Sequence, residues 1–190
     1  MAGRQQMRSA FGDGLLRQVE ALDASERAAI LDLVSEETLT HYRRAMPVGW
    51  TSMERHMEVS NAIRAVVGSQ RNVEVWHGTM AALTGRPLLS GFLRNIGMRL
   101  GMNPGTMYRQ TARLWKHLCS EVGELRAEVG TSQTAVELSK FPAEDHHFPC
   151  FVEGLHGCLL GLVAPFDVSV QVRVVAVDLD AGFASYDVTW

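Results

Sequence analysis

The densest group of potential metal donors is Glu144-Asp145-His146-His147-Phe148-Pro149-Cys150, where five side chains in seven residues carry imidazole, carboxylate or thiol. All three groups bind transition metals. Adjacent histidines in a loop point different ways, and an acidic pair equally solvates a turn, so no metal ligand is assigned. His41, His56, His77 and His117 stand singly in helical segments, where a histidine is expected on the surface or hydrogen-bonded in the core. His156, between Gly154 and Gly157 in an apolar stretch, is the candidate to point into a pocket. GxxxxGK(S/T), GxSxG, HExxH and GxGxxG are all absent. No catalytic set and no cofactor follow from the residues.

Charge is the second signal. From residue 86 to 119 there are six basic side chains, Arg86, Arg94, Arg99, Arg109, Arg113 and Lys116, and no acidic one, in a chain of net charge −3. Arg94, Arg99, Arg109, Arg113 and Lys116 form the candidate basic patch. Such a patch suits phosphate or an acidic partner, and equally a solvated helix face. Ile96 to Arg109, with a Gly turn and the Asn103-Pro104 start, resembles a helix-turn-helix. That arrangement would present Thr106, Arg109, Gln110 and Arg113 to a DNA major groove. Trp115 and Leu118 instead continue the stretch as a core helix.

These side chains need elements to hold them. Asp23-Ala24-Ser25-Glu26 and Thr51-Ser52-Met53-Glu54 read as helix starts, each followed by apolar residues at helical spacing. Shorter helices are expected over 71–83 and 88–100, and another begins at Asn103-Pro104, with Met107, Tyr108, Thr111, Trp115 and Leu118 on one stripe. After Gly123 the period falls to two. Leu125, Ala127 and Val129 alternate with charges, Gly130-Thr131-Ser132 turns, and Val136 and Leu138 return, which predicts a hairpin. A second hairpin is predicted from Val168, Val170, Val172, Val174 and Ala176 on one buried side, a turn at Asp178 to Gly182, and Ala184, Tyr186, Val188 and Trp190. Between the hairpins, 139–149 reads as a loop and Phe151 to Val163 as an apolar helix. Gly154, Gly157 and Gly161 share one face of that helix, spaced for another backbone to approach, within the chain or across a two-fold axis.

The segment Cys150-Phe-Val-Glu-Gly154-Leu-His-Gly157, the Val-rich strand, Gly182 and the closing aromatic strand resemble the 4-vinyl reductase domain. Its fold group includes haem-nitric-oxide-binding sensors and TRAPP vesicle-tethering subunits. Over its whole length the chain looks like a paralogous myxobacterial family. The resemblance implies zinc ligands near Cys150, Val175, Asp178 and Tyr186. Two of those positions cannot hold zinc, so folding without zinc is expected. The Tyr-x-Ser-x-Arg motif of the haem-binding relatives is absent as well.

With 190 residues, 46% hydrophobic and 21% charged, the chain is neither disordered nor fibrous and suits one α+β domain. The expected fold is an N-terminal helical portion packed on a small antiparallel sheet of two hairpins with the Gly-rich helix between them. Residues 1–22 are expected to form a partly flexible N-terminal helix. Three cysteines without pairing pattern, a polar basic start and no long apolar run predict a cytoplasmic protein with no membrane span. The expected function is a non-enzymatic binding or regulatory module, bacterial, sensing a small apolar ligand or acting as a protein adaptor, with a homodimer as a further expectation. Trp76, Trp115 and His156 are the expected ligand contacts. The alternative is a helix-turn-helix transcriptional regulator.

Overall fold

The computed structural model describes residues 5–86, 89–91, 103–141, 147–166 and 168–190. Its elements are β1 (Gln6–Arg8), α1 (Ser9–Glu20), α2 (Ala24–Leu33), α3 (Glu36–Arg44), β2 (Trp50–Ser52) and α4 (Met53–Thr84). They are followed by α5 (Pro104–Arg109), α6 (Thr111–Leu118), β3 (Cys119–Ser120), β4 (Glu124–Val129), β5 (Gln133–Ser139), α7 (Phe148–Gly161), β6 (Gln171–Asp178) and β7 (Phe183–Thr189). The expected helix over 88–100 lies almost wholly outside the described residues, as do Arg94, Arg99 and the Glu144-Asp145-His146 donors. No helix among the described residues is long and apolar enough to cross a membrane.

The longest helix is a hairpin. Gly68 sits inside it at φ 83° and ψ 170°, a conformation other residues rarely adopt. Trp76 Nε1 donates to Ser60 Oγ at 2.7 Å, whereas sixteen residues of straight helix would separate them by about 24 Å. Residues 53–67 and 69–84 therefore run back along each other about Gly68, joining the two helices the sequence suggests. Asp23 caps α2 as expected, accepting from Ser25 N and Glu26 N. Ser52 makes no capping bond at α4, and its neighbour Thr51 is held instead by Ser9 and His41.

The α+β architecture is as expected. A four-stranded antiparallel sheet of order β4-β5-β7-β6 is built from the two hairpins, with α7 between them in sequence. A smaller sheet, β2-β1-β3, is too short for its strands to show a period in sequence. β4 and β5 pair from Glu124 opposite Ser139 to Val129 opposite Thr134, as the alternation predicts. At Gly182, φ is 57° and an added Cβ would strike the Phe141 carbonyl, which explains the glycine.

One strand departs from expectation. β7 buries Ala184, Tyr186 and Val188 completely, but β6, its neighbour at the sheet edge, is exposed along nearly its whole length. A bulge between Val174 and Ala176 turns Ala176 to the opposite face from Val174. The single buried face expected for this strand does not form, because the core that covers β7 does not reach the edge.

The glycine face of α7 packs inside the chain. An added Cβ at Gly157 would stand 2.6 Å from Trp76 Cβ and 2.9 Å from His77 N, and one at Gly161 would stand 2.8 Å from Met80 Cβ. Of the two roles the spacing suggested, the structure shows backbone-to-backbone contact between α7 and residues 73–81. Phe11, Leu15 and Val19 place α1 against α4 in the same core.

Candidate functional site

A cavity opens where β1, α1, α4, α6, β3, β4 and α7 meet. The space inside it open to the centre of a water-sized sphere is about 60 Å³, several times what one water needs. Met7 and Phe11 line it from β1 and α1, and Trp76 and Met80 from the second arm of α4. Thr111, Leu114, Trp115 and Leu118 come from α6, with Cys119 and Leu125 beside them. The remaining wall is α7, through Phe151, Gly154, Leu155, Cys158 and Leu159, with Leu162 just beyond it. Gly154 belongs here because an added Cβ would stand 2.9 Å from the Trp76 ring.

The lining side chains turn their polar atoms away. Trp76 Nε1 is spent on Ser60, Trp115 Nε1 donates to the Gly123 carbonyl at 3.1 Å, and Thr111 Oγ1 donates to the Tyr108 carbonyl at 2.6 Å. Both thiols are held in the protonated form. Burial pushes Cys158 up to about 12. Cys119 stands well above the usual thiol value, through burial and the neighbouring Cys158. An occupant would meet aromatic rings, aliphatic carbon and neutral sulfur.

A buried polar network fixes the α4–α7 wall. Ser60 Oγ donates to Asn72 Oδ1 at 3.1 Å and accepts from Trp76. With its one proton spent, Ser60 also accepts from the Cys150 thiol at 3.0 Å. Asn72 Nδ2 donates to Glu153 Oε2 at 2.9 Å, and Glu153 Oε1 pairs with Arg64 at 2.8 Å. Each member therefore has a partner, and Trp76 is held in one orientation. Burial raises the Cys150 thiol too, which keeps it protonated as this network requires.

The structure brings together two of the three expected ligand contacts. Trp76 and Trp115 line the cavity. His156 does not: it is half-buried beside the Val172 backbone of β6, with its pKa lowered mainly by burial. His41 and His56 are hydrogen-bonded, to Thr51 and Tyr42, while His77 and His117 are exposed. His147 lies against Asn61, with Nδ1 2.9 Å from Asn61 Nδ2. Of the residues the resemblance placed near zinc, Cys150 is in the network above, Val175 is exposed, and Tyr186 donates to the Val152 carbonyl.

Arg109, Arg113 and Lys116 are exposed on α5 and α6, and Arg86 pairs with Asp13 at 2.8 Å. The proposed reading helix, however, is two helices divided at Gln110. Thr106, required on its DNA-facing side, is only 3% exposed. Its backbone N–H is capped by Asn103, and the apolar packing of α5 takes its side chain inward. Thr106 therefore does not take the DNA-facing place that the alternative helix-turn-helix reading gave it, and residues 96–102 of that motif lie outside the described residues.

Sequence reasoning missed Met7, Phe11, Met80, Cys119 and Cys158 as cavity residues. Their only signal is apolar character, shared with the rest of the core.

No family model matches the chain, and no curated protein matches it in sequence. Solved structures match its fold over almost its full length. A single-residue variant of the unliganded Fe(II) H-NOX protein from K. algicida is similar at TM-score 0.66 and 11% identity, covering 96% of both chains. An H-NOX variant from S. oneidensis, in the Fe(II) ligation state, is similar at 0.64 and 10%, covering 96% of this chain and 95% of that one. A structure probing haem distortion in the H-NOX family gives 0.57 and 14%, with coverage of 96% and 93%. The chain therefore has an H-NOX-like α+β fold.

Proposed function

We propose that this protein is a non-enzymatic sensing module whose cavity takes a small, uncharged, apolar ligand, with Trp76 and Trp115 as contacts. The observation that carries the reading is the orientation of the lining. Each indole N–H and the threonine hydroxyl is satisfied outside the cavity, so a polar or charged occupant would lose its water without replacement. A site lined this way holds a ligand but offers no acid, base or nucleophile to transform it. The H-NOX-like fold agrees with a sensing role.

Haem does not fit these residues. Haem iron is held by histidine, thiolate, tyrosine or methionine paired with histidine. Among the described residues the lining has no histidine, tyrosine or charged side chain, and both its cysteines are strongly held as thiols. The sequence from 87 to 102 holds no histidine, cysteine or tyrosine, and 142 to 146, outside the described residues, hold one histidine, His146.

The test uses N-phenyl-1-naphthylamine, a neutral dye that brightens in apolar sites. Saturable binding of one dye per chain is expected, with loss in a folded Cys158→Phe variant that fills the cavity. Weak, non-saturable binding unaffected by that variant would refute the reading. Haem added to the purified protein is expected to give no stoichiometric complex.

A further inference from the structure

The two edges of the four-stranded sheet are built differently. β4 carries Glu124, Arg126 and Glu128 in alternation, and Lys140 pairs with Glu124 beside it. Charged edges of this kind resist pairing with another strand. β6 carries charge only at Arg173 and Asp178, with four apolar residues between them. Val174 is 38% exposed, Val175 52%, Val177 43% and Leu179 50%, with Val168 at 43% just upstream. These are five of the nine large apolar side chains exposed among the described residues, gathered in one short stretch. Monomers rarely leave such a patch uncovered.

The register says what covers it. Val172, Val174 and Val177 stand opposite Val188, Tyr186 and Ala184, on the core-facing side of the sheet. Arg173, Ala176 and Asp178 stand opposite Asp187, Ser185 and Phe183, on the outer side. Arg173 and Asp178 are five residues apart and would face opposite ways in a regular strand. The bulge adds one residue and brings them to the same face.

We propose that β6 pairs antiparallel with β6 of a second copy about a two-fold axis at Ala176, making one continuous sheet. With the bulged residue counted out, Arg173 falls opposite Asp178 of the second copy, and the reverse. Val174 falls opposite Val177, and Val172 opposite Leu179. Opposite charges then meet on the outer face and apolar residues on the inner one, twice over, as an isologous interface requires. No shift by one residue keeps both matches, because it would set each arginine against Val177 or Leu179. The proposal does not rest on the cavity's having a ligand.

Sedimentation equilibrium of the full chain tests it. A dimer is expected for the native protein. Val174→Glu with Val177→Glu is expected to give monomer, with the helical circular dichroism and dye binding retained. Asp178→Arg alone is expected to weaken the dimer roughly tenfold. Adding Arg173→Asp with Asp187→Arg, which keeps the 2.6 Å pair between those two positions inside the chain, is expected to restore association. A native protein that is monomeric at every concentration overturns the proposal. So does a dimer that survives both valine substitutions, or an Asp178→Arg defect that the two added substitutions leave unrepaired.

Discussion

His56 makes the fold sensitive to acid, and the structure sets the size of the effect. The residue is completely buried; its Nδ1 bonds to the Tyr42 hydroxyl at 2.9 Å, and its Nε2 has no well-formed hydrogen bond, only the Met7 backbone nearby. Burial, with a smaller push from His41, lowers its pKa from 6.5 to about 3, against a partial offset from the Met7 backbone. The folded protein thus binds the neutral ring, while the unfolded chain takes up a proton below about pH 6.5. Stability from this group is full above that value and declines as pH falls toward the folded-state pKa, by about 1.4 kcal/mol per pH unit. Between pH 7.5 and 5 the loss comes to about 2 kcal/mol. His56→Gln keeps an acceptor for Tyr42 and cannot titrate. Urea unfolding of both proteins at several pH values measures the difference. The native protein is expected to lose about 2 kcal/mol more than the variant over this interval. Parallel losses would refute the reasoning, since they would mean that His56 is already protonated in the fold or accessible to water.

Other outcomes follow from the α4–α7 wall. Gly157→Leu is expected to unfold the protein, because its side chain would have to enter the backbone of residues 73–77; circular dichroism checks this, and a folded monomer would contradict it. Asn72→Ala leaves Ser60, Cys150 and Glu153 each short of a partner and is expected to cost about 3 kcal/mol in urea unfolding. Cys158 is expected to react with iodoacetamide at pH 8 about a thousandfold more slowly than an exposed thiol, and at the ordinary rate in urea.

The sequence showed those parts of the fold that repeat a period. The β4–β5 hairpin, the buried side of Met107 to Leu118 and the close-packing glycines of α7 announce themselves, since alternation, helical spacing and missing side chains are local signals; the break at Gln110 that makes two helices of the expected one does not. β6 misled for a physical reason: its alternation is as clean as that of β7, but whether a strand is covered depends on its place in the sheet. The bulge at Val175 leaves no mark in composition either. Trp76 and Trp115 could be selected as large aromatics, whereas Met7 and Cys119 reach the cavity only through the pairing of β1 with β3. His156 drew notice by standing alone among apolar residues, but its position on α7 turns it to the sheet rather than to the cavity. The basic stretch shows the converse error, because charge segregation says nothing about whether Thr106 faces out.

The cavity has one firm wall and one lighter wall, and that asymmetry decides how occupancy would be felt. On the firm side, α7 lies against residues 69–84 with glycine at the contact and a fully satisfied polar network beneath. Displacing it would break several buried hydrogen bonds together. On the other side, α6 is only eight residues long and has no side-chain cap at its N-terminus. It is held beyond its core face by the Trp115 bond to Gly123 and the Arg8 bond to the His117 carbonyl. Short elements of this kind open locally at lower cost than the global core. Amides of 111–120 are therefore expected to exchange with deuterium ahead of those in 69–84 when no ligand is present. Opening α6 exposes the cavity, so saturating N-phenyl-1-naphthylamine, at about a hundredfold over its Kd, should slow their exchange about a hundredfold. If α6 exchanges as slowly as the α4–α7 wall, or if the dye leaves its exchange unchanged, the moving wall is not α6.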